Sequence, residues 1–215
     1  MPIASLRISE IFYSLQGEGN SSGWPTIFVR LTGCPLRCHY CDTRYAFSGG
    51  ETLTLTTIIN RIAAYPCQRL CITGGEPLAQ QNVHLLMRQL CDLGYQLSLE
   101  TSGALSTAAV DARVTLVLDL KTPGSGECAN NDYDNLTQLR PQDQVKFVLT
   151  NREDYLWAKE QLALHQLDGR CTPLFSVAAG ELAAEALAAW ILADGLQVRL
   201  QLQLHRLLWG DKRGC

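Results

Sequence analysis

Apolar and polar positions along the chain keep two rhythms. Seven short runs rich in aliphatic and β-branched residues, at 26–32, 69–73, 96–100, 114–120, 145–149, 173–177 and 197–204, read as strands. Between several of them apolar residues recur at helical spacing, at 55–65, 79–93, 153–165 and 182–192. In the second stretch Val83, Leu86, Met87, Leu90 and Leu93 form one stripe, and Gly94 follows as a stop signal. Tyr155, Leu156, Lys159 and Leu162, then Leu187, Trp190 and Ile191, repeat the pattern, and these stripes read as core faces. Alternating strands and helices predict an α/β fold with a parallel sheet under covering helices. Residues 122–135 break the rhythm with Gly, Asn and Asp, so at least one crossover helix is expected to be shortened or missing. No linker or repeat divides the chain, which favours one domain over 1–215. A full eightfold barrel takes about 250 residues, so a partial, modified (β/α)6 barrel suits the strand count, with a doubly wound open sheet as the alternative.

Composition narrows the class. The 215 residues are 47% apolar and 18% charged, as in globular proteins, and no apolar run approaches the ~18 residues that span a bilayer. The N-terminus alternates too early to supply a secretory apolar core, so a cytoplasmic protein with no membrane partner is expected. A net charge of -3 with scattered Lys and Arg argues against direct nucleic-acid binding.

Nine cysteines in such a chain point to metal, catalysis or burial rather than disulfides. Cys67, Cys71, Cys91, Cys128, Cys171 and Cys215 share no ligand spacing, and most read as small buried hydrophobes. Cys34, Cys38 and Cys41 form a C-x3-C-x2-C triplet after the apolar run Ile27 to Leu31. Zinc would lack a fourth ligand, since His39 stands too close in sequence to supply it easily, whereas three thiolates could hold three irons of a [4Fe-4S] cluster and leave one open. In parallel α/β folds ligands gather at the carboxyl ends of strands. There the sequence places the triplet with Asp42-Thr43, then Gly74-Gly75-Glu76-Pro77, then Glu100-Thr101-Ser102-Gly103, then Lys121-Thr122-Pro123.

The triplet, with aromatic Tyr40 before its last Cys, and Thr73-Gly74-Gly75-Glu76-Pro77 together resemble the radical S-adenosylmethionine (SAM) superfamily and its barrel. A narrower resemblance runs over nearly the whole chain. Ile11 to Gly19, Phe28 to Cys34, Cys41-Asp42-Thr43, Ile72 to Pro77, Glu100 to Gly103, Gln201 to His205 and Trp209-Gly210 look like the 7-carboxy-7-deazaguanine synthase family. That resemblance implies a carbon–nitrogen lyase of queuosine and deazapurine biosynthesis. Its substrate would be 6-carboxy-5,6,7,8-tetrahydropterin, with a [4Fe-4S] cluster, SAM and Mg2+ as cofactors. It also implies an external electron donor such as a flavodoxin or ferredoxin, and a homodimer.

Residue by residue, the resemblance assigns Cys34, Cys38 and Cys41 to iron and Thr43 to Mg2+. It assigns Gly75, Glu76, Tyr40, Asp119, Leu120, Lys121 and Ser176 to SAM, and Leu15, Gln16, Gly17, Arg30, Thr73 and Cys215 to substrate. Glu76 is expected to accept from the SAM ammonium. Ser176-Val177-Ala178 stands where many relatives carry Ser-Pro, and Cys215 replaces another terminal residue. By themselves Gln16 and Glu18 would be solvent-facing turn residues, Asp42-Thr43 a helix cap, Arg30 half of an edge ion pair, Lys121 solvated, and His205 packed. Two competing functions remain at this stage: a glycyl-radical-enzyme activating protein, which would carry a protein-docking surface and no pterin pocket, and a noncatalytic zinc or cluster module.

Overall fold

The alternation S-L-R-I-S-E-I-F-Y-S-L builds an eleven-residue strand, β1 (Ser5–Leu15), whose Leu6 and Ile8 face the core. In the computed structural model, which describes residues 3–215, β1 pairs antiparallel with β2 (Pro25–Leu31) on one side and β3 (Glu51–Thr54) on the other. Neither β1 nor β3 was among the seven expected runs. The expected runs all form strands: β2, β4 (Arg69–Gly74), β5 (Gln96–Thr101), β6 (Thr115–Asp119), β7 (Gln144–Leu149), β8 (Thr172–Val177) and β9 (Arg199–Gln201). These run parallel, and the nine-stranded order is β3-β1-β2-β4-β5-β6-β7-β8-β9. β9 is shorter than the expected 197–204, because the chain turns at Leu202 and Gln203 into a short helix at Leu204–Trp209.

Four helices follow the apolar stripes: α1 (Leu55–Ala63), α2 (Val83–Asp92), α4 (Arg152–Leu164) and α5 (Ala184–Asp194). Thr54 and Asn151 cap α1 and α4 by accepting from Thr57 N and Asp154 N. Val83, Leu86, Met87 and Leu90 of α2 are fully buried, but Leu93, past the end of the helix, lies outside the stripe and is exposed. Leu156 likewise turns outward while Tyr155, Ala158 and Leu162 bury the inner face of α4.

Two crossovers lack a proper helix. Residues 102–114 carry none, and 122–143 hold only one-turn pieces and the four-residue α3 (Asp134–Thr137). Side chains replace the missing hydrogen bonds. Buried Asn135 accepts from Thr107 N and Oγ1 and donates to the carbonyls of Gly103 and Leu105. Asn131 exchanges two bonds with the backbone of Lys121, and buried Asp143 accepts from Leu116 N and Arg140. Apolar packing divides accordingly, one core filling β1–β5 with α1 and α2, the other β6–β8 with α4 and α5.

The sheet curls rather than lying open. The loop at residues 16–24, between β1 and β2, reaches strands at the far end of the order: Gly19 N donates to Gln201 Oε1 (2.8 Å), Asn20 N to Gln144 Oε1 (2.7 Å), and Leu204 N to Gly17 O (3.0 Å). A partial (β/α) barrel results, with six full parallel strands and the three-residue β9. No helix among the described residues is long and apolar enough to cross a membrane.

Candidate active site

A cavity of about 720 Å3 opens at the carboxyl ends of the parallel strands. The Gly33 turn that ends β2 sends the cysteine loop across its mouth, and Cys34, Cys38 and Cys41 all line it as free, half-buried thiols. Arg37 braces this loop by donating from Nη1 to the carbonyls of Cys34 and Leu36, each at 2.7 Å. No three His, Cys, Asp or Glu side chains among the described residues converge closely enough to hold a single metal ion. Three thiols gathered on one wall suit a cluster in which each binds a different iron. Burial pushes the Cys34 and Cys38 thiols up.

The diglycine at the end of β4 serves this wall. A Cβ on Gly75 would stand 2.1 Å from Gly33 O and 2.9 Å from Cys34 Cβ, so only glycine lets β4 pass beneath the cysteine loop. Gly75 N donates to Leu31 O and Glu76 N to Gly33 O, locking the joint. Glu76 itself is 0% exposed and does not line the cavity. Its carboxylate accepts from Leu78 N, Thr101 Oγ1, Ser102 N and Ser102 Oγ, at 2.5–2.9 Å, which ties the end of β4 to the end of β5. Donors from the protein fill its acceptor positions, and through them it places Gly75, Thr101 and Ser102.

Beside the cysteines, a chain of charges runs along the cavity. Lys121 Nζ donates to Asp119 Oδ2 (2.8 Å), Lys146 Nζ stands 3.6 Å from the same oxygen and 2.9 Å from Glu18 Oε2, and Gln203 Nε2 links Glu18 Oε1 (2.8 Å) to Asp42 Oδ2 (3.2 Å). Thr43 Oγ1 closes the chain by donating to Asp42 Oδ1 (2.7 Å). Desolvation opposes the Glu18 charge, yet Lys146, with the Gln203 and Lys146 hydrogen bonds, holds the Glu18 carboxyl below its ordinary range. The carboxylates of Glu18, Asp119 and Glu100 overcome desolvation and hold Lys146 well above its own. Asp119 Oδ1 and the Tyr40 hydroxyl are buried without a hydrogen-bond partner among the described residues, and both residues line the cavity. A polar ligand that accepts from one and donates to the other would satisfy both, as SAM with its hydroxyls, amine and carboxylate can.

A third wall is polar and aromatic. Arg30, cross-strand partner of Glu10, donates from Nε to Glu10 Oε1 (2.7 Å), and Tyr45 donates to the same oxygen (2.8 Å). Phe12 stacks on Phe28 at 4.8 Å beneath the guanidinium. Glu100 accepts from Gln16 Nε2 (3.2 Å) and Thr73 Oγ1 (2.9 Å). Gly17 lies against the His205 ring, whose Nδ1 an added Cβ would meet first.

Of the residues assigned by resemblance, Leu15, Gln16, Gly17, Arg30, Cys34, Cys38, Tyr40, Cys41, Thr43, Thr73, Gly75, Asp119, Lys121, Ser176 and Cys215 line this one cavity. Glu76 and Leu120 do not. Leu120 is fully buried in the second core, because alternation along the segment sends Asp119 and Lys121 inward and Leu120 to the other side. Lys121 is 8% exposed and paired rather than solvated, and buried Gln16 is no free turn residue. Glu10, Tyr45 and Lys146 were not singled out from sequence, and Glu100 and Gln203 stood only within the motifs Glu100 to Gly103 and Gln201 to His205, with no role of their own. Alternation on β7 could have flagged Lys146 as a polar residue within an apolar strand.

These walls set a cysteine triplet suited to a cluster beside a polar pocket in a partial barrel, and the radical SAM superfamily model matches residues 28–123. Over 98% of both chains, the sequence is 43% identical to 7-carboxy-7-deazaguanine synthase of Chlorobaculum tepidum; with that of Koribacter versatilis it shares 39% over 95% of this chain and 97% of the relative. The fold superposes on the crystal structure of QueE from Escherichia coli with a TM-score of 0.77 over 94% of this chain and 95% of that one, at 22% identity. The chain belongs to the 7-carboxy-7-deazaguanine synthase family, and as a radical SAM enzyme takes a [4Fe-4S] cluster and SAM as cofactors.

Proposed function

We propose that this chain converts 6-carboxy-5,6,7,8-tetrahydropterin to 7-carboxy-7-deazaguanine with loss of ammonia, as a single domain in the cytoplasm. The observation that carries the reading is the shared cavity, with three free thiols on one wall and Arg30, Gln16, Glu18 and Glu100 on the facing walls. Held by Cys34, Cys38 and Cys41 and by the SAM-facing residues beside them, the cluster and SAM would supply one-electron radical chemistry for hydrogen abstraction from the substrate.

The chain's own residues bind, orient and shield. Cys34, Cys38 and Cys41 hold the cluster. Gly75, Tyr40, Asp119, Lys121 and Ser176 surround SAM. Arg30, its Nε fixed by Glu10, offers its terminal nitrogens to the substrate carboxylate. Glu18 and Glu100 are acceptors suited to the N–H groups of the pyrimidine ring, with Leu15, Gln16, Gly17, Thr73 and Cys215 completing that pocket. Thr43 gives its hydroxyl proton to Asp42, which leaves its oxygen lone pairs for Mg2+ alongside the substrate carboxylate. The electron comes from a flavodoxin or ferredoxin class donor, and the working unit is a homodimer. Anaerobic protein reconstituted with iron and sulfide, then given dithionite, SAM, Mg2+ and the carboxy-tetrahydropterin, is expected to form the contracted product by mass. Full cluster content and SAM cleavage with no such product would overturn the substrate assignment.

A further inference from the structure

We propose that Gln203 is a positioning residue that sets the register between the pyrimidine-binding wall and the metal-binding loop of this site. The inference rests on the functional reading above. Gln203 follows β9, Glu18 sits in the loop after β1, and Asp42 directly follows the last cluster cysteine; among the described residues the side-chain amide of Gln203 joins the three segments. Its Nε2 stands 2.8 Å from Glu18 Oε1 and 3.2 Å from Asp42 Oδ2. Two carboxylate oxygens can share that neighbour only if it is the NH2 end, so both of its N–H donors are committed.

Each carboxylate is gripped at its other oxygen as well, Glu18 by Lys146 (2.9 Å) and Asp42 by Thr43 (2.7 Å). Gln203 is therefore the neutral middle link of the run Lys146–Glu18–Gln203–Asp42–Thr43. It holds two anions side by side without cancelling either charge. A pterin bound with its pyrimidine edge on Glu18 and its carboxylate toward Thr43 would meet both ends of this run, so the amide fixes the two ends of its site relative to one another.

The role separates from space filling by the order of three proteins. Gln203→Met keeps the volume and removes both donors; Gln203→Glu keeps the shape and places a third carboxylate against the other two. Binding of the carboxy-tetrahydropterin to cluster-loaded, SAM-bound protein is measured by anaerobic calorimetry with and without Mg2+, with cluster content and SAM affinity as controls. Pterin dissociation constants should rise about tenfold in Gln203→Met and further in Gln203→Glu, the cost of losing hydrogen bonds to charged groups. The benefit of Mg2+ to binding should shrink in the same order while SAM affinity holds. Equal pterin affinity in wild type and Gln203→Met, with an unchanged Mg2+ benefit, overturns the inference even where Gln203→Glu fails to fold. Wild-type protein that does not bind the pterin would overturn the substrate reading and this link with it.

Discussion

The cavity is bounded by two joints of opposite construction. Under the cysteine loop, β2 and β4 meet through backbone: Gly75 N to Leu31 O, Glu76 N to Gly33 O, and a glycine Cα where no side chain fits. Across the barrel, the loop at 16–24 meets β7 and β9 largely through side chains, with Gln144, Lys146, Gln201 and Gln203 reaching Asn20 N, Glu18 and Gly19 N. The first joint lies under the three cysteines and tolerates no change of shape. The second is built of separate side-chain contacts that can re-form one at a time. A barrel left unclosed by its strands can thus be stiff beneath the cysteine loop and adjustable across from it.

The sharpest way to break this contrast is to add one methyl group to each joint. Gly75→Ala drives a Cβ into the Gly33 carbonyl at 2.1 Å, backbone that cannot step aside. It is expected to cost about 3 kcal/mol or more and to abolish cluster retention, read by denaturation and iron content. Gly17→Ala meets only the His205 ring, which can rotate, and should cost about 1 kcal/mol or less while keeping iron. Equal losses in the two variants would erase the distinction.

Next in size is Glu76→Gln. Its buried carboxylate accepts from four separate donor groups, and an amide would set an NH2 against some of them. A loss of about 2 kcal/mol is expected in urea unfolding, whereas Gln201→Ala on the opposite joint should cost about 1.

The acid side of the stability curve sharpens the comparison further. The folded Glu18 carboxyl lies below its ordinary value of about 4.3, so its contribution is present above that pH and fades as pH falls through the lowered folded value. Lys146 is raised, so its contribution is present below about 10.4 and is lost only as pH climbs past the folded value. Lys146→Met should therefore flatten the fall in melting temperature between pH 5 and 3. An unchanged acid limb would show that the pair does not tune the second joint. The smallest effect concerns motion: amide hydrogens of Gly75 and Glu76 should exchange more slowly than those of Gly19 and Asn20, and the reverse order in native-state exchange would contradict the assignment of stiffness.

The two joints also differ in how far they could be read from sequence. Gly74-Gly75 follows an apolar strand and precedes Glu-Pro, and the cysteine spacing lies within eight residues, so local pattern suffices. Seven parallel strands and four helices were legible for the same reason. β1 was not, because its alternation at the chain start carries no turn signal before it, and four-residue β3 is too short for periodicity to act. At the second joint Gln203 and Glu18 are 185 residues apart, and a single Gln beside a three-residue strand has no local meaning. Glu76 was legible as a special residue but not in its orientation, since Ser102 Oγ at 2.5 Å draws it inward. Leu120 was carried along by its neighbours, although strand alternation alone separates it from Asp119 and Lys121.

The helix-free crossover at 102–114 has a consequence for how the molecule could be divided. It passes between the two cores, and Ala108 and Ala109 are exposed there. A break between those two alanines leaves the first core together except for Val114 and Leu116, and leaves the second intact. Yet the cysteines fall in one fragment and Lys121, Lys146, Ser176 and Gln203 in the other. Each fragment keeps an apolar nucleus on which to collapse and only half of the chemistry, so the two expressed together are expected to reassemble a working cavity, as neither does alone.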